Sequence, residues 1–382
     1  MIFISFPDNV DWMSSNRKIF VLTAGYGEGH NTAAKNVQKA IETLGDAEVQ
    51  VFDLFDICYG RWNKLATKAY LTAINRTPAI WQKFYQMLHE TTLVERTLFS
   101  MSKMRGLLAK MIEEQKPDAI VSTYPVYSFL LESIFPGEAQ RSFVHTTIVT
   151  DSITINSVWH RARSDYFIVP NDETAKVMLR EGIPGHKVKN LGFPVTPRFS
   201  NPEAVRPAPS DQAGRKVLFM INFGKREAPI LLARLVQIPN IHVTVTVGRD
   251  AALHTRIAEV AAQANRKVEI FGWTDRMPEL LMSHHLLISK AGGATVQEST
   301  AAKTPMIISQ VVPGQEEGNA RLLTENECGR VAESHEEIAA TVEEAFADDG
   351  RLWRKWHTNI TRLSRPGAAL DIAKFVLDTT EK

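Results

Sequence analysis

Short β-branched apolar runs alternate with amphipathic stretches along this chain. The run "KIFVLTA" (18–24) is right for a strand buried on both faces and too short for a helix. "HNTAAKNVQKAIETLG" (30–45) follows, with Ala33, Val37, Ala40, Ile41 and Leu44 at helical spacing and Gly45 as a stop. More strand-like runs lie at 48–56, 118–125, 142–151 and 165–172, with a mainly helical stretch at about 60–116. The segment "RFSNPEAVRPAPSDQAGRK" (198–216) has no period and reads as a linker. Beyond it the alternation restarts, with strands expected at 216–222, 242–248, 267–273, 285–293 and 305–311. Such repetition predicts an α/β fold: two Rossmann-like, doubly wound parallel-sheet domains facing a cleft. We place an unstructured extension at 1–17, an N-terminal domain at 18–200, a linker at 201–215 and a C-terminal domain at 216–364. A helix within 365–382 either packs back on the N-terminal domain or joins the second core.

The length of 382 residues suits two domains. With 44% hydrophobic and 23% charged residues and a formal net charge of +1, composition fits a globular protein and gives no support to nucleic-acid binding. Cys58 and Cys328 lie too far apart in sequence for a metal motif or a disulfide framework, which favours a reducing, cytoplasmic setting. No apolar run approaches the roughly 20 residues that span a bilayer.

Ligands of doubly wound sheets sit at the carboxyl ends of strands, so the loops there carry the candidate chemistry. In "TAGYGEGHNTAAK" (23–35), Gly25, Gly27 and Gly29 separate a strand from a helix, a placement that aims free N–H groups at an anion. A dinucleotide turn would space its glycines differently, although Asp53 closes the second strand where such a turn wants an acid. His30 at the helix start is disfavoured as a cation by the dipole, and neutral imidazole suits a general base; a plain helix-capping histidine is the competing reading.

In the second half, "SKAGGATVQEST" (289–300) is another strand, glycine turn and helix start. Gly292, Gly293 and Ala294 leave the backbone bare, Thr295 offers a hydroxyl, and the acceptor-only carboxylate of Glu298 suits a ribose diol. "VVPGQEEGNAR" (311–321) supplies Gln315, Glu316 and Asn319, amide and carboxylate groups suited to sugar hydroxyls. "FGWTDRMPELL" (271–281) brings Gly272, Trp273 and Thr274, able to pair with or pack on a flat base.

These motifs, with "STYPVYS" (122–128), "VTD" ending at Asp151, "VWHR" (158–161), "GFPV" (192–195) and "VGRD" (247–250), resemble the family 28 glycosyltransferases of the GT-B fold from about residue 18 to 378. The likeness is strongest to monogalactosyldiacylglycerol synthases and processive diacylglycerol glucosyltransferases. The peptidoglycan lipid-intermediate N-acetylglucosaminyltransferase is a more distant relative. The resemblance implies a UDP-hexose donor held by the C-terminal domain, a diacylglycerol-like acceptor, inversion at the anomeric carbon, and neither metal nor cofactor. It matches His30 and Asp151 to the catalytic pair, Glu298 to the ribose ligand, and Gln315 and Glu316 to the sugar ligands. One departure stands out. Where the family usually has a glycine-rich loop, "INFGKREAP" (221–229) keeps only Gly224 and adds Lys225 and Arg226, either of which could meet the donor phosphates.

Residues 61–110 hold nine Lys or Arg against two acids, Glu90 and Glu95, with six aromatics interleaved. We expect Trp62, Lys64, Lys68, Trp81, Lys83 and Arg96 to meet an anionic membrane surface from the cytoplasmic side. An ordinary solvated helix face is the alternative. Two other functions keep the same fold: a nicotinamide-dependent dehydrogenase using Gly25–Gly29 and Asp53, and a non-catalytic sugar-nucleotide binder.

Overall fold

The structure, a computed structural model, describes residues 17–45, 47–76, 78–137, 141–200, 209, 214–222, 224–264, 267–314 and 316–380, without the side chains of residues 28 and 70–81. Residues 1–16 of the expected 1–17 extension and nearly all of the linker therefore lie outside the described residues, while Arg17 is ordered onto the fold, its Nη1 donating to the Leu377 carbonyl (3.2 Å).

Two six-stranded parallel sheets form the molecule. The first contains β1 (Lys18–Leu22), β2 (Glu48–Phe52), β3 (Ala119–Ser122), β4 (Val144–Ile148), β5 (Tyr166–Val169) and β6 (Val188–Asn190), in the order β2-β1-β3-β4-β5-β6. The second contains β7 (Arg215–Met220), β8 (Ile241–Thr246), β9 (Val268–Phe271), β10 (Leu286–Lys290), β11 (Met306–Gln310) and β12 (Gly329–Val331), in the order β12-β11-β10-β7-β8-β9. The alternation in the sequence anticipates every strand but β6 and β12. Each of these is a three-residue edge strand, too short and too polar to show a period. Strand order reverses between β1 and β3 and again between β7 and β10, which creates a crevice beyond the strand ends at each reversal.

The helix Glu28–Leu44 turns Ala34, Val37, Ala40 and Ile41 onto the first sheet and ends in a left-handed cap at Gly45. Its Ala33 instead joins an apolar cluster with Ile153, Val296, Ala301, Ala320 and Leu323, so the two lobes share a core. The chain re-crosses at the C-terminus. Ser364 Oγ donates to the Ala301 carbonyl (3.0 Å) in one lobe, and Arg365 Nη1 donates to the Asn190 carbonyl (2.9 Å) in the other. The helix Ala368–Asp378 then buries Ala369, Ile372, Ala373 and Val376 against Ile19, Val21, Ala34 and Val37 of the first lobe. At the crossing Gly192 has φ +93°, and a Cβ there would stand 3.0 Å from that of Ala368, so two reasons favour glycine.

Candidate active site

The glycine turn after β1 is held by its own lobe. Asp53 Oδ2 accepts the Gly25 N–H (2.9 Å), and Oδ1 accepts the Asp56 N–H as the cap of the helix Leu54–Tyr59. Gly27 lies at φ +134°, a conformation that L side chains rarely adopt. Both carboxylate oxygens of Asp53 thus serve its own lobe's backbone, which gives this acid a structural role in the turn.

The turn delivers His30 to the β1/β3 crevice. His30 Nδ1 lies 2.8 Å from the Thr123 carbonyl oxygen and 3.0 Å from Thr150 Oγ1. A carbonyl can only accept, so Nδ1 carries the proton and Nε2 presents its lone pair. Nε2 has no hydrogen-bond partner among the described residues. Burial lowers the imidazole pKa from 6.5 to about 4, against the Thr123 carbonyl, which raises it. The ring is therefore neutral near pH 7. The principal cause is desolvation, not the helix dipole that the sequence suggested.

Asp151 follows Thr150, and its Oδ2 accepts the Trp159 indole N–H at 2.8 Å. Burial pushes its carboxyl up to about 6, opposed by that hydrogen bond. The Trp159 ring also lies 6.0 Å from the His30 ring, so one indole touches both members of the expected pair. Tyr124 sits edge-on to His30 at 5.0 Å and stacks with Tyr26 at 5.8 Å, and Phe55 completes an aromatic wall beside the imidazole. Sequence reasoning missed Thr123, Thr150 and Trp159 as partners of the pair. The quoted "STYPVYS", "VTD" and "VWHR" contain all three, but nothing in their spacing shows which side chain they meet.

The other lobe brings its loops to the same place. Gly293 opens the helix Gly293–Ala301, and a Cβ on it would stand 3.4 Å from the Thr150 carbonyl oxygen. Glu298 lies on that helix with no hydrogen-bond partner among the described residues, and burial pushes its carboxyl up to about 7. Lys290, which the sequence did not single out, pairs with the buried Glu316, whose Oε2 also accepts the Val312 N–H at 3.1 Å. The expected sugar-hydroxyl role of Glu316 is thus shared with a structural one. Asn319 Nδ2 donates to the Ala291 carbonyl (3.1 Å), while its buried Oδ1 has no partner in the structure described. An orphaned acceptor is costly to bury, and a ligand hydroxyl would satisfy it. Gln310 Oε1, at the end of β11, is orphaned in the same way. Gln315 lies outside the described residues.

The remaining donor-side residues stand at the neighbouring strand ends. Gly224 has φ +62°; Lys225 forms an ion pair with Asp250 (2.9 Å), the cap of the helix Ala251–Gln263, so its charge is partly neutralised there. Arg226 is exposed beside it. Gly272 lies against the Gly248 carbonyl, and Thr274 Oγ1 accepts the Arg276 N–H (3.1 Å). Trp273 is 65% exposed and carries the Arg249 guanidinium 5.0 Å from its ring centroid, a cation–π contact on the ring expected to stack on a base.

The basic, aromatic block folds into the helices Arg61–Arg76, Pro78–Glu90 and Leu93–Thr97 and the 3₁₀ turn Leu98–Met101. Trp62 (77%) and Phe99 (82%) are mostly exposed, and Lys64, Lys68, Lys83 and Arg96 are exposed as well. The Trp81 side chain lies outside the described residues. The block is wired to the site: Asn156 Nδ2 donates to the Tyr85 carbonyl (2.9 Å), and His89 Nδ1 accepts the Ser157 N–H (3.0 Å), two residues from Trp159. Among the described residues no helix is long and apolar enough to cross a membrane.

Two doubly wound lobes whose crevices face each other, with a neutral imidazole and a carboxylate on one side and a bare helix start with an unpaired glutamate on the other, define a glycosyltransferase of the GT-B fold. Residues 30–195 match the family described as monogalactosyldiacylglycerol (MGDG) synthase, and residues 223–356 match the glycosyltransferase family 28 C-terminal domain. The chain belongs to glycosyltransferase family 28. It is 26% identical over 379 residues to a processive diacylglycerol beta-glucosyltransferase of Bacillus subtilis, covering 97% of each chain. Its fold is similar to that of Acinetobacter baumannii MurG (TM-score 0.62, 12% identity, 95% of this chain and 99% of that one). It is also similar to a Neisseria meningitidis UDP-GlcNAc 2-epimerase bound to UDP-GlcNAc (TM-score 0.58, 11% identity, 95% and 99%), so the fold alone does not fix the reaction.

Proposed function

We propose that the chain transfers a hexose from a UDP-sugar to diacylglycerol or a similar lipid at an anionic membrane surface, with inversion and without a metal. The acceptor hydroxyl is a poor nucleophile at neutral pH and needs a base in hydrogen-bond reach. His30 is that base: Nε2 takes the hydroxyl proton as the oxygen attacks the anomeric carbon from the face opposite the leaving phosphate. The imidazolium so formed keeps the Thr123 carbonyl on Nδ1 and gains the negative charge of the donor diphosphate nearby, which raises its pKa toward the working range. Asp151, held by Trp159, orients the acceptor. The departing UDP takes the bonding electrons, and its charge is met by the N–H groups that begin at Gly293, with Lys290 beside them. Glu298 accepts from the ribose hydroxyls, and the orphaned Asn319 Oδ1 accepts from the sugar.

The observation that carries this reading is the pinned tautomer of His30, with Nδ1 committed to Thr123 and Nε2 open. Purified chain, given diacylglycerol in anionic vesicles with UDP-glucose or UDP-galactose, should release UDP and yield a glycolipid by mass spectrometry, in EDTA as in its absence. His30→Ala should lower turnover by about 10²–10⁴-fold, the worth of a general base, and Asp151→Asn by about 10²-fold, the effect of a misplaced acceptor, while calorimetry still detects UDP binding. UDP binding without UDP-sugar turnover in the wild type would instead mark a non-catalytic binder.

A further inference from the structure

The loop that leaves β4 with Asp151 runs directly into the C-terminal lobe. Ser152, 2% exposed, is its hub. The Ser152 hydroxyl accepts from Asn171 Nδ2 of its own lobe (3.0 Å) and from Gln297 Nε2 of the other (3.1 Å). Gln297 is 7% exposed. The residue after Asp151 is thus bonded to the residue before Glu298. A second contact lies beside it. A Cβ on Gly318 would stand 1.8 Å from the Ser152 carbonyl oxygen, 2.6 Å from Thr154 Oγ1 and 2.7 Å from Thr154 N. Real Cβ atoms do not come within 3.0 Å of such neighbours, so any side chain at 318 must drive the lobes, or this loop, apart. Gly318 has no other reason to be glycine, since its φ is not positive.

We propose that Gln297 is a positioning residue for the transfer reaction, setting the Asp151 loop in register with the donor-bearing helix through Ser152, and that Gly318 is the bare surface that lets the lobes close to that register. This rests on the reading of Asp151 and Glu298 as acceptor-side and donor-side groups. It adds a requirement that neither lobe imposes alone: donor occupancy and acceptor alignment share one hydrogen bond across the cleft.

The test uses the full chain as wild type, Gln297→Ala and Gly318→Ala, with three readouts: UDP affinity by calorimetry, steady-state transfer, and the radius of gyration by X-ray scattering with UDP present. Both variants should keep the UDP dissociation constant within about threefold, because the donor groups remain in place. Gly318→Ala should widen the molecule and lower kcat on the order of 10²-fold, the effect of a misplacement of about 1 Å. Gln297→Ala should lower kcat about tenfold, the size of one lost hydrogen bond, with the KM for UDP-sugar nearly unchanged. Turnover of Gly318→Ala within threefold of wild type overturns the proposal, as does parallel loss of UDP affinity and turnover in Gln297→Ala. If Gly318→Ala fails to fold, an unchanged kcat in Gln297→Ala still overturns it. A wild type without transfer defeats the functional reading instead, and the scattering comparison then tests the clasp by itself.

Discussion

His30, Asp151 and Glu298 are all withdrawn from water without an ion-pair partner among the described residues, and burial moves the histidine and the carboxylates in opposite directions. His30 is neutral above about pH 4, whereas Asp151 ionises near 6 and Glu298 near 7. In free enzyme, kcat/KM should therefore rise with pH between about 5 and 8 as the two carboxylates lose their protons. In Glu298→Gln the remaining limb should shift down toward pH 6; a limb still centred near 7 would remove Glu298 from the site. Stability follows the same shifts with its own sign. A carboxylate whose folded pKa is raised carries no penalty below its unfolded value near 4, and the full penalty above its folded pKa. Glu298→Gln should accordingly stabilise the fold at pH 8, by about 1–2 kcal/mol after allowance for solvent at the cleft, and change little at pH 4. Thermal melts at both pH values check this. His30 works the other way: its contribution is intact above 6.5 and is lost as pH falls toward 4. Residue types and motif order made these three groups legible. Their surroundings were not, because Thr123, Thr150 and Trp159 reach His30 and Asp151 only through folding.

Among the elements, the helix Ala368–Asp378 shows how far a pattern reaches. Its stripe of Ala369, Ile372, Ala373 and Val376 is plain in the sequence, but a stripe does not name the face that covers it. Packing decides: the stripe meets Val21, Val37 and Ile41 in the N-terminal lobe, where it closes a face left by the helix Glu28–Leu44. Ile372 is fully buried there, so Ile372→Ala should cost about 2–5 kcal/mol, measured by urea denaturation of the full chain. Substitution at the exposed Leu179 should cost far less. The two strands that the pattern missed, β6 and β12, owe their existence to neighbours that complete a ladder, not to their own residues.

For the whole molecule, net charge hides what matters. A formal charge of +1 coexists with a block in which nine cations face two acids. The fold places the exposed Trp62 and Phe99 in that block and ties its helices to the Trp159 loop. Each basic group near an anionic bilayer is worth about 1 kcal/mol, and salt screens it. Sedimentation with anionic vesicles should therefore weaken about tenfold or more between roughly 0.05 and 0.5 M salt. Trp62→Ser with Phe99→Ser should weaken it further at any salt, since each exposed aromatic offers about 2 kcal/mol of burial, without lowering the melting temperature. Binding that ignores both salt and these residues would place the membrane face elsewhere.

Local chemistry was enough for the sequence to determine the two wound sheets and to offer the loops at the strand ends, with His30 and Glu298, as candidates; Asp151 came from the resemblance. Strand periods, glycine turns and helix starts are each written within a few consecutive residues. Only the tertiary structure decided which groups meet: within each lobe the Nδ1 proton of His30 on Thr123 and Lys225 paired with Asp250, and between the lobes Gln297 bonded to Ser152. Those contacts join residues that are not neighbours in the chain; the first two depend on how each sheet is wound and the third on how the two lobes close, properties that no short stretch of sequence encodes.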